Sequence, residues 1–130
     1  MIVLDASVVV DLLIRPAEET GALRARVRTA SIAYAPQLMD VEVINTLRRH
    51  VLNGRIDQIS ARRAIRRLTA MRLRWWPHKS LLGRAFALRD QLSAYDAIYV
   101  AMAEATGATL LTRDARLAGA TGHRARVEVV

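Results

Sequence analysis

No cysteine occurs in the 130 residues, which excludes disulfides, thiol nucleophiles and cysteine-ligated metal centres. That suits a reducing compartment, and a cytoplasmic protein is expected. Lysine is almost missing as well: of 20 basic residues, Lys79 alone is not an arginine. Acid is scarce, 12 residues against those 20, which leaves a formal net charge of +8 and a pI near 11.3. No uncharged run near the amino terminus approaches the roughly 20 apolar residues of a membrane span. Met1-Ile2-Val3-Leu4 meets Asp5 at once, with no basic stretch before it, so no signal peptide is expected. Repeats, linkers and low-complexity segments are lacking too. What is present is a 52% hydrophobic chain, which excludes intrinsic disorder despite the charge. Its length predicts one domain over residues 1–130, large enough to bury a core.

The positive charge is uneven. Between Arg48 and Arg84 lie 11 basic residues and a single acid, Asp57. Arginine binds phosphate through two parallel hydrogen bonds and stacks on bases, so such a segment suits a nucleic-acid partner. Arg49, Arg62, Arg63, Arg66 and Arg67 are the candidates. The bland alternative is the solvated face of an amphipathic helix, although such faces normally mix both signs.

Alternating apolar runs and helical periodicities predict a short central, mostly parallel α/β sheet flanked by helices on both faces. Ile2–Leu4, Ile32–Tyr34, Leu73–Trp76, Ala108–Leu111 and Val127–Val130 read as strands, the last at an edge. Helices are expected at Ser7–Ile14, from Pro16 to Thr29, from Pro36 through Asn53, from Asp57 or Ser60 to Met71, over Ser80–Asp90, and from Ser93 to Gly107. A helical turn follows from Asp114 to Leu117.

Ligands of open parallel sheets bind beyond the carboxyl ends of the strands. Asp5 and Asp114 fall at such ends, and Asp96 falls in the first turn of the helix opened by Ser93. Each could instead be a helix cap. Glu42 fits that explanation poorly, because a helix begun at Pro36 would hold it in the interior, on one face with Asn45 and Arg49. Carboxylates gathered in one pocket repel unless a cation neutralises them. Oxygen donors without cysteine or a well-placed histidine select Mg²⁺ or Mn²⁺ over zinc. His50, His78 and His123 show no ligand spacing and read as surface residues. An acidic metal pocket beside an arginine-rich surface points to phosphodiester chemistry.

Four segments in order resemble the motifs of the PIN-domain ribonucleases, in particular the VapC-type toxins of toxin–antitoxin pairs. They are Ile2-Val3-Leu4-Asp5-Ala6-Ser7, Val41-Glu42-Val43-Ile44-Asn45, Ser93-Ala94-Tyr95-Asp96-Ala97 and Leu110-Leu111-Thr112-Arg113-Asp114. The resemblance spans nearly the whole chain. It implies a PIN-like fold, Mg²⁺- or Mn²⁺-dependent endoribonuclease activity, a homodimer, and a cognate antitoxin that blocks the site. By matching motif, Asp5, Glu42, Asp96 and Asp114 would hold the metal. Ser7 and Thr112 would supply hydroxyls behind them, and Asn45 would support the pocket. The alternative is a PIN-fold RNA-binding or processing protein that is not a toxin. A phosphoacceptor receiver domain wants an adjacent acidic pair after the first strand and a lysine after the last, and neither is here. A phosphatase built on Asp-x-Asp is excluded because position 7 is Ser7.

Overall fold

The computed structural model describes all residues from Met1 to Val130. Five strands form one sheet in the order β3-β2-β1-β4-β5, every neighbouring pair parallel. They are β1 (Ile2–Leu4), β2 (Ala33–Pro36), β3 (Arg74–Trp76), β4 (Thr109–Thr112) and β5 (Arg126–Val129). The expected parallel α/β architecture is therefore present, and parallel throughout. Its centre is β1, which pairs Val3 with Tyr34 on one side and Leu110 on the other. Ile2, Val3 and Leu4 are all buried, as a strand covered on both faces must be.

The helices are α1 (Ala6–Ile14), α2 (Ala17–Thr29), α3 (Met39–Leu52), α4 (Gln58–Thr69), α5 (Leu82–Ala87), α6 (Ala94–Thr106) and α7 (Ala115–Gly119). Helices α1 to α4 pack on one another, whereas α6 packs on β1, β2 and β4 and carries α5 beside it. Residues Ala97 to Ala103 of α6 are buried without interruption, which makes it the helix of the core. Ser93 caps its start by accepting from the Asp96 N–H, and Gly107 ends it at φ +67°, a conformation that costs glycine little. Asp57 caps α4 by accepting from the Ser60 N–H.

Three expectations need correction. Pro36 does not open α3; it is the last residue of β2, in register with Trp76, and α3 begins at Met39. The fixed φ of proline suits a strand end as well as a helix start, so the residue alone could not decide. Glu42 consequently lies in the first turn of α3, not in its interior. The helix expected over Ser80–Asp90 is a 3₁₀ turn at His78–Leu81 followed by the six-residue α5. His50, His78 and His123 are half-buried rather than surface residues, and Nδ1 of His78 and both ring nitrogens of His123 lack hydrogen-bond partners.

Candidate functional site: carboxylates at the sheet switch point

From β1 the chain proceeds to β2 on one side, while β4 and β5 lie on the other, so the strand order reverses between β1 and β4. That is where α/β sheets form their ligand crevice. Asp5 directly follows β1, and Thr112 ends β4 with Asp114 two residues on. The starts of α3 and α6 bring Glu42 and Asp96 to the same edge.

Asp5 occupies the cap position of α1, yet its side chain makes no capping bond. Its Oδ2 accepts instead from two hydroxyls, Ser7 Oγ and Thr112 Oγ1, each at 2.6 Å. Both hydroxyls accept in turn from successive backbone amides: Arg113 N–H bonds Ser7 Oγ at 3.1 Å, and Asp114 N–H bonds Thr112 Oγ1 at 3.0 Å. Each hydroxyl is thus obliged to spend its proton on Asp5. One carboxylate oxygen is saturated, and Oδ1 carries no hydrogen bond from the protein.

Glu42 is treated alike. Its Oε2 accepts from the buried Tyr99 hydroxyl at 2.5 Å, leaving Oε1 without a partner. Burial pushes the Glu42 carboxyl above its ordinary value; the tyrosine bond opposes this, and the charges of Asp5 and Asp96 add to it. Burial raises Asp96 too, with the Ser93 hydrogen bond opposing and repulsion from Asp5 and Asp114 contributing. Burial, with the charge of Glu42 beside it, also drives the Tyr99 hydroxyl far up, so it remains a donor at any working pH.

Asp114 behaves differently. It caps α7 by accepting from the Arg116 N–H at 2.9 Å, and its Oδ2 meets the Arg116 guanidinium at 2.6 Å. Those bonds hold its carboxyl below the ordinary range. Asp5, Glu42 and Asp96 therefore form a mutually repelling set, with Asp114 at its margin and already paired. Side-chain positions stop short of a closed cluster: no three acids or histidines converge to the spacing of a metal-ligand set. The donor chemistry nonetheless fits a hard divalent cation, because all donors are oxygens and the unpartnered ones belong to desolvated, repelling carboxylates.

The supporting residues divide. Ser7 and Thr112 touch Asp5 directly. Asn45 is exposed and has no hydrogen bond to the carboxylates, and Arg49 is exposed with a bond to Thr46. Arg62, Arg63 and Arg66 are exposed along α4. Arg67 is committed elsewhere, donating to the carbonyls of Leu13 at 2.9 Å and Leu12 at 3.0 Å. These carbonyls close the last turn of α1, where Arg24 also donates to Leu12. A cation there satisfies carbonyls that no helical amide reaches. Eight residues of helix separate Leu13 from Asp5, about 12 Å of rise, so the Arg67 contacts lie at the opposite end of α1 from Asp5. Tyr99 escaped the sequence reading. Its signal was the i+3 step from Asp96 on an apolar helix, which any core tyrosine could produce.

Fold and site together define an all-parallel α/β protein with half-buried, mutually repelling carboxylates at its switch point. The chain belongs to the PIN-domain family, whose profile matches residues 2–122. It is 38% identical to the protein named Ribonuclease VapC12 of Mycobacterium tuberculosis, over 100% of this chain and 99% of that one. Two solved structures share the fold. PAE2754 of Pyrobaculum aerophilum superposes with a TM-score of 0.70 at 22% identity, covering 97% of this chain and 87% of the other. A toxin-antitoxin complex from Klebsiella pneumoniae gives 0.63 at 20% identity, covering 88% and 87%.

Proposed function

We propose that this protein is a divalent-metal-dependent endoribonuclease, the toxin of a VapC-type toxin–antitoxin pair, using Mg²⁺ or Mn²⁺. The observation that carries this is the treatment of the carboxylates in a chain so similar to a named ribonuclease over its full length. Asp5 and Glu42 each have one oxygen fixed by neutral hydroxyl donors and one left without a partner. Asp11, Glu104 and Asp114 are each neutralised by an arginine, whereas Asp5 and Glu42 receive only neutral donors.

Asp5, Glu42 and Asp96 would hold the cation, with Asp114 contributing once it leaves Arg116. A bound divalent metal would supply a water of lowered pKa and stabilisation of the charge that develops on the phosphate oxygens. Ser7, Thr112 and Tyr99 keep their carboxylates oriented. The crowded negative charge repels the RNA backbone until a cation neutralises it, so the metal binds ahead of the substrate. Arg116, exposed and paired with Asp114, can hold a phosphate on leaving it. Arg49, Arg62, Arg63 and Arg66 offer a second, salt-sensitive hold on RNA beyond the pocket. A cognate antitoxin covers the pocket, the protein works as a homodimer, and both act in the cytoplasm. No helix is long and apolar enough to cross a membrane.

The test is cleavage of defined RNAs by the purified protein in EDTA, Mg²⁺ or Mn²⁺, with and without the product of any short reading frame found beside its gene. Cutting that requires either metal and stops on adding that product is the expected outcome. Cleavage undiminished in EDTA would overturn the metal reading, and cleavage indifferent to the neighbouring product would overturn the toxin reading.

A further inference from the structure

The Arg113 side chain takes part in none of the chemistry above, yet four bonds converge on this residue and its neighbours. Its Nε donates to Asp11 Oδ2 at 2.6 Å, joining the end of β4 to α1. A terminal N–H of the same guanidinium donates to the Val130 carbonyl. Its backbone N–H donates to Ser7 Oγ at 3.1 Å, and the Val130 N–H donates to the Thr112 carbonyl at 3.0 Å. Ser7 and Asp11 are one helical turn apart and share a face of α1. Arg113 thus grips one face of α1 with main chain and side chain at once. The pair is partly shielded, at 33% and 19% side-chain exposure, unlike the looser Arg15 contact to the same Asp11 at 3.4 Å.

We infer that Arg113, anchored by Asp11, is a positioning residue for the metal pocket. It clamps the end of β4 onto α1, so that the Ser7 and Thr112 hydroxyls both stay on Oδ2 of Asp5 and leave Oδ1 to the cation. Without the clamp, residues 112–114 can move relative to α1, and the two hydroxyls no longer select the same oxygen. This inference rests on the proposed metal-dependent function, since it gives Asp5 a cation to hold.

The test is calorimetric titration of Mn²⁺ into the intact protein, Arg113→Gln, Asp11→Asn and the double variant, with unfolding temperature in EDTA recorded for each. Arg15 remains beside Asp11 when Arg113 is neutralised, so no charge is stranded. Groups that orient metal ligands typically contribute 10–100-fold in affinity. Each single variant is therefore expected to weaken Mn²⁺ binding about tenfold, and the double variant no further than either single one. Arg113→Lys, which keeps the ion pair but loses the second arm to Val130, should fall between parent and Arg113→Gln and provides the comparison if Arg113→Gln fails to fold. Lower unfolding temperatures with parental Mn²⁺ affinity would reduce the pair to a scaffold contact and overturn the inference. Losses that multiply in the double variant would overturn the coupling between the two residues. A parent that binds no Mn²⁺ would instead overturn the metal reading on which the inference stands.

Discussion

Asp5, Glu42 and Asp96 are charges held where charge is costly, whereas Arg62, Arg63 and Arg66 stand where it costs nothing. The carboxylates are partly buried and repel one another, and hydroxyls fix one oxygen each on Asp5 and Glu42. The arginines line the wet side of an amphipathic helix whose inner stripe is Ala61, Ala64 and Leu68. Both regions gather charges of one sign. Only the first has a construction that opposes its own relaxation, and it calls for more counter-charge than the nearby Arg116 supplies. The second needs no partner to be stable. It can lend long-range attraction to a polyanion without being a site.

The largest effect should come from the acidic side. Asp96→Asn removes a charge but keeps the shape, and turnover of RNA should fall about 100-fold or more, beyond the loss typical for an outer supporting group. RNA affinity measured in EDTA should not fall, because the arginines and not Asp96 attract phosphate. Parental turnover in Asp96→Asn would remove it from the pocket. Asp5→Asn separates cap from ligand in a second way. Asparagine caps a helix as well as aspartate, so a capping Asp5 predicts no change with or without metal. A repelling Asp5 predicts an apo protein more stable by about 1 kcal/mol. The parent should then gain about 2.7 kcal/mol at 100 times its metal Kd, and the variant much less. Thermal unfolding in EDTA and in Mn²⁺ reads both numbers.

The arginine side should divide in two. Neutralising Arg62, Arg63 and Arg66 together should leave the unfolding temperature near the parental value and flatten the salt dependence of RNA binding by roughly 0.7 per lost phosphate contact. Arg67→Ala should do the reverse. It strips the carbonyls of Leu12 and Leu13 of a charged donor, at about 1–2 kcal/mol of stability, with little change in the salt slope. If Arg67 behaved like its neighbours on α4, the division drawn here between solvated and structural arginine would fail.

That division marks where reading the sequence ran short. The strand and helix order was legible because each element carries its own periodicity and its own stop, as Gly107 ends α6 and Asp57 starts α4. The placement of Asp5 and Asp114 was legible as well, since both simply follow strands. What could not be read were choices settled by tertiary contact. Pro36 fits either a strand end or a helix start, and pairing with Trp76 decides between them. Arg67 is one of four similar arginines, and only the packing of α4 against the end of α1 sets it apart. The Tyr99 bond to Glu42 joins residues 57 positions apart, a pairing that no local pattern encodes.

The smallest effect compares two glutamates with opposite surroundings. Glu42 is pushed up by burial, while Glu104 is pulled down to about 2 by the Arg84 guanidinium, which meets it at 2.7 and 2.9 Å. A depressed carboxylate adds stability that is fully present above its unfolded pKa, near 4.5, and is lost as pH falls toward 2. Glu104→Gln should therefore be less stable than the parent at neutral pH, by on the order of 1 kcal/mol for a partly exposed pair. That gap should close between pH 4.5 and 2. A raised carboxylate has the opposite sign: its protonated form is the one the fold prefers, so metal-free parent protein loses stability as pH climbs above 4.5. Glu42→Gln in EDTA should accordingly gain on the parent as pH rises, and the gain should vanish below pH 4.5. Denaturant unfolding of the three proteins from pH 2 to 8 in EDTA reads both slopes. Parallel pH curves for Glu42→Gln and parent would mean that Glu42 is not a strained carboxylate, and the contrast between the two charged regions would lose its clearest member.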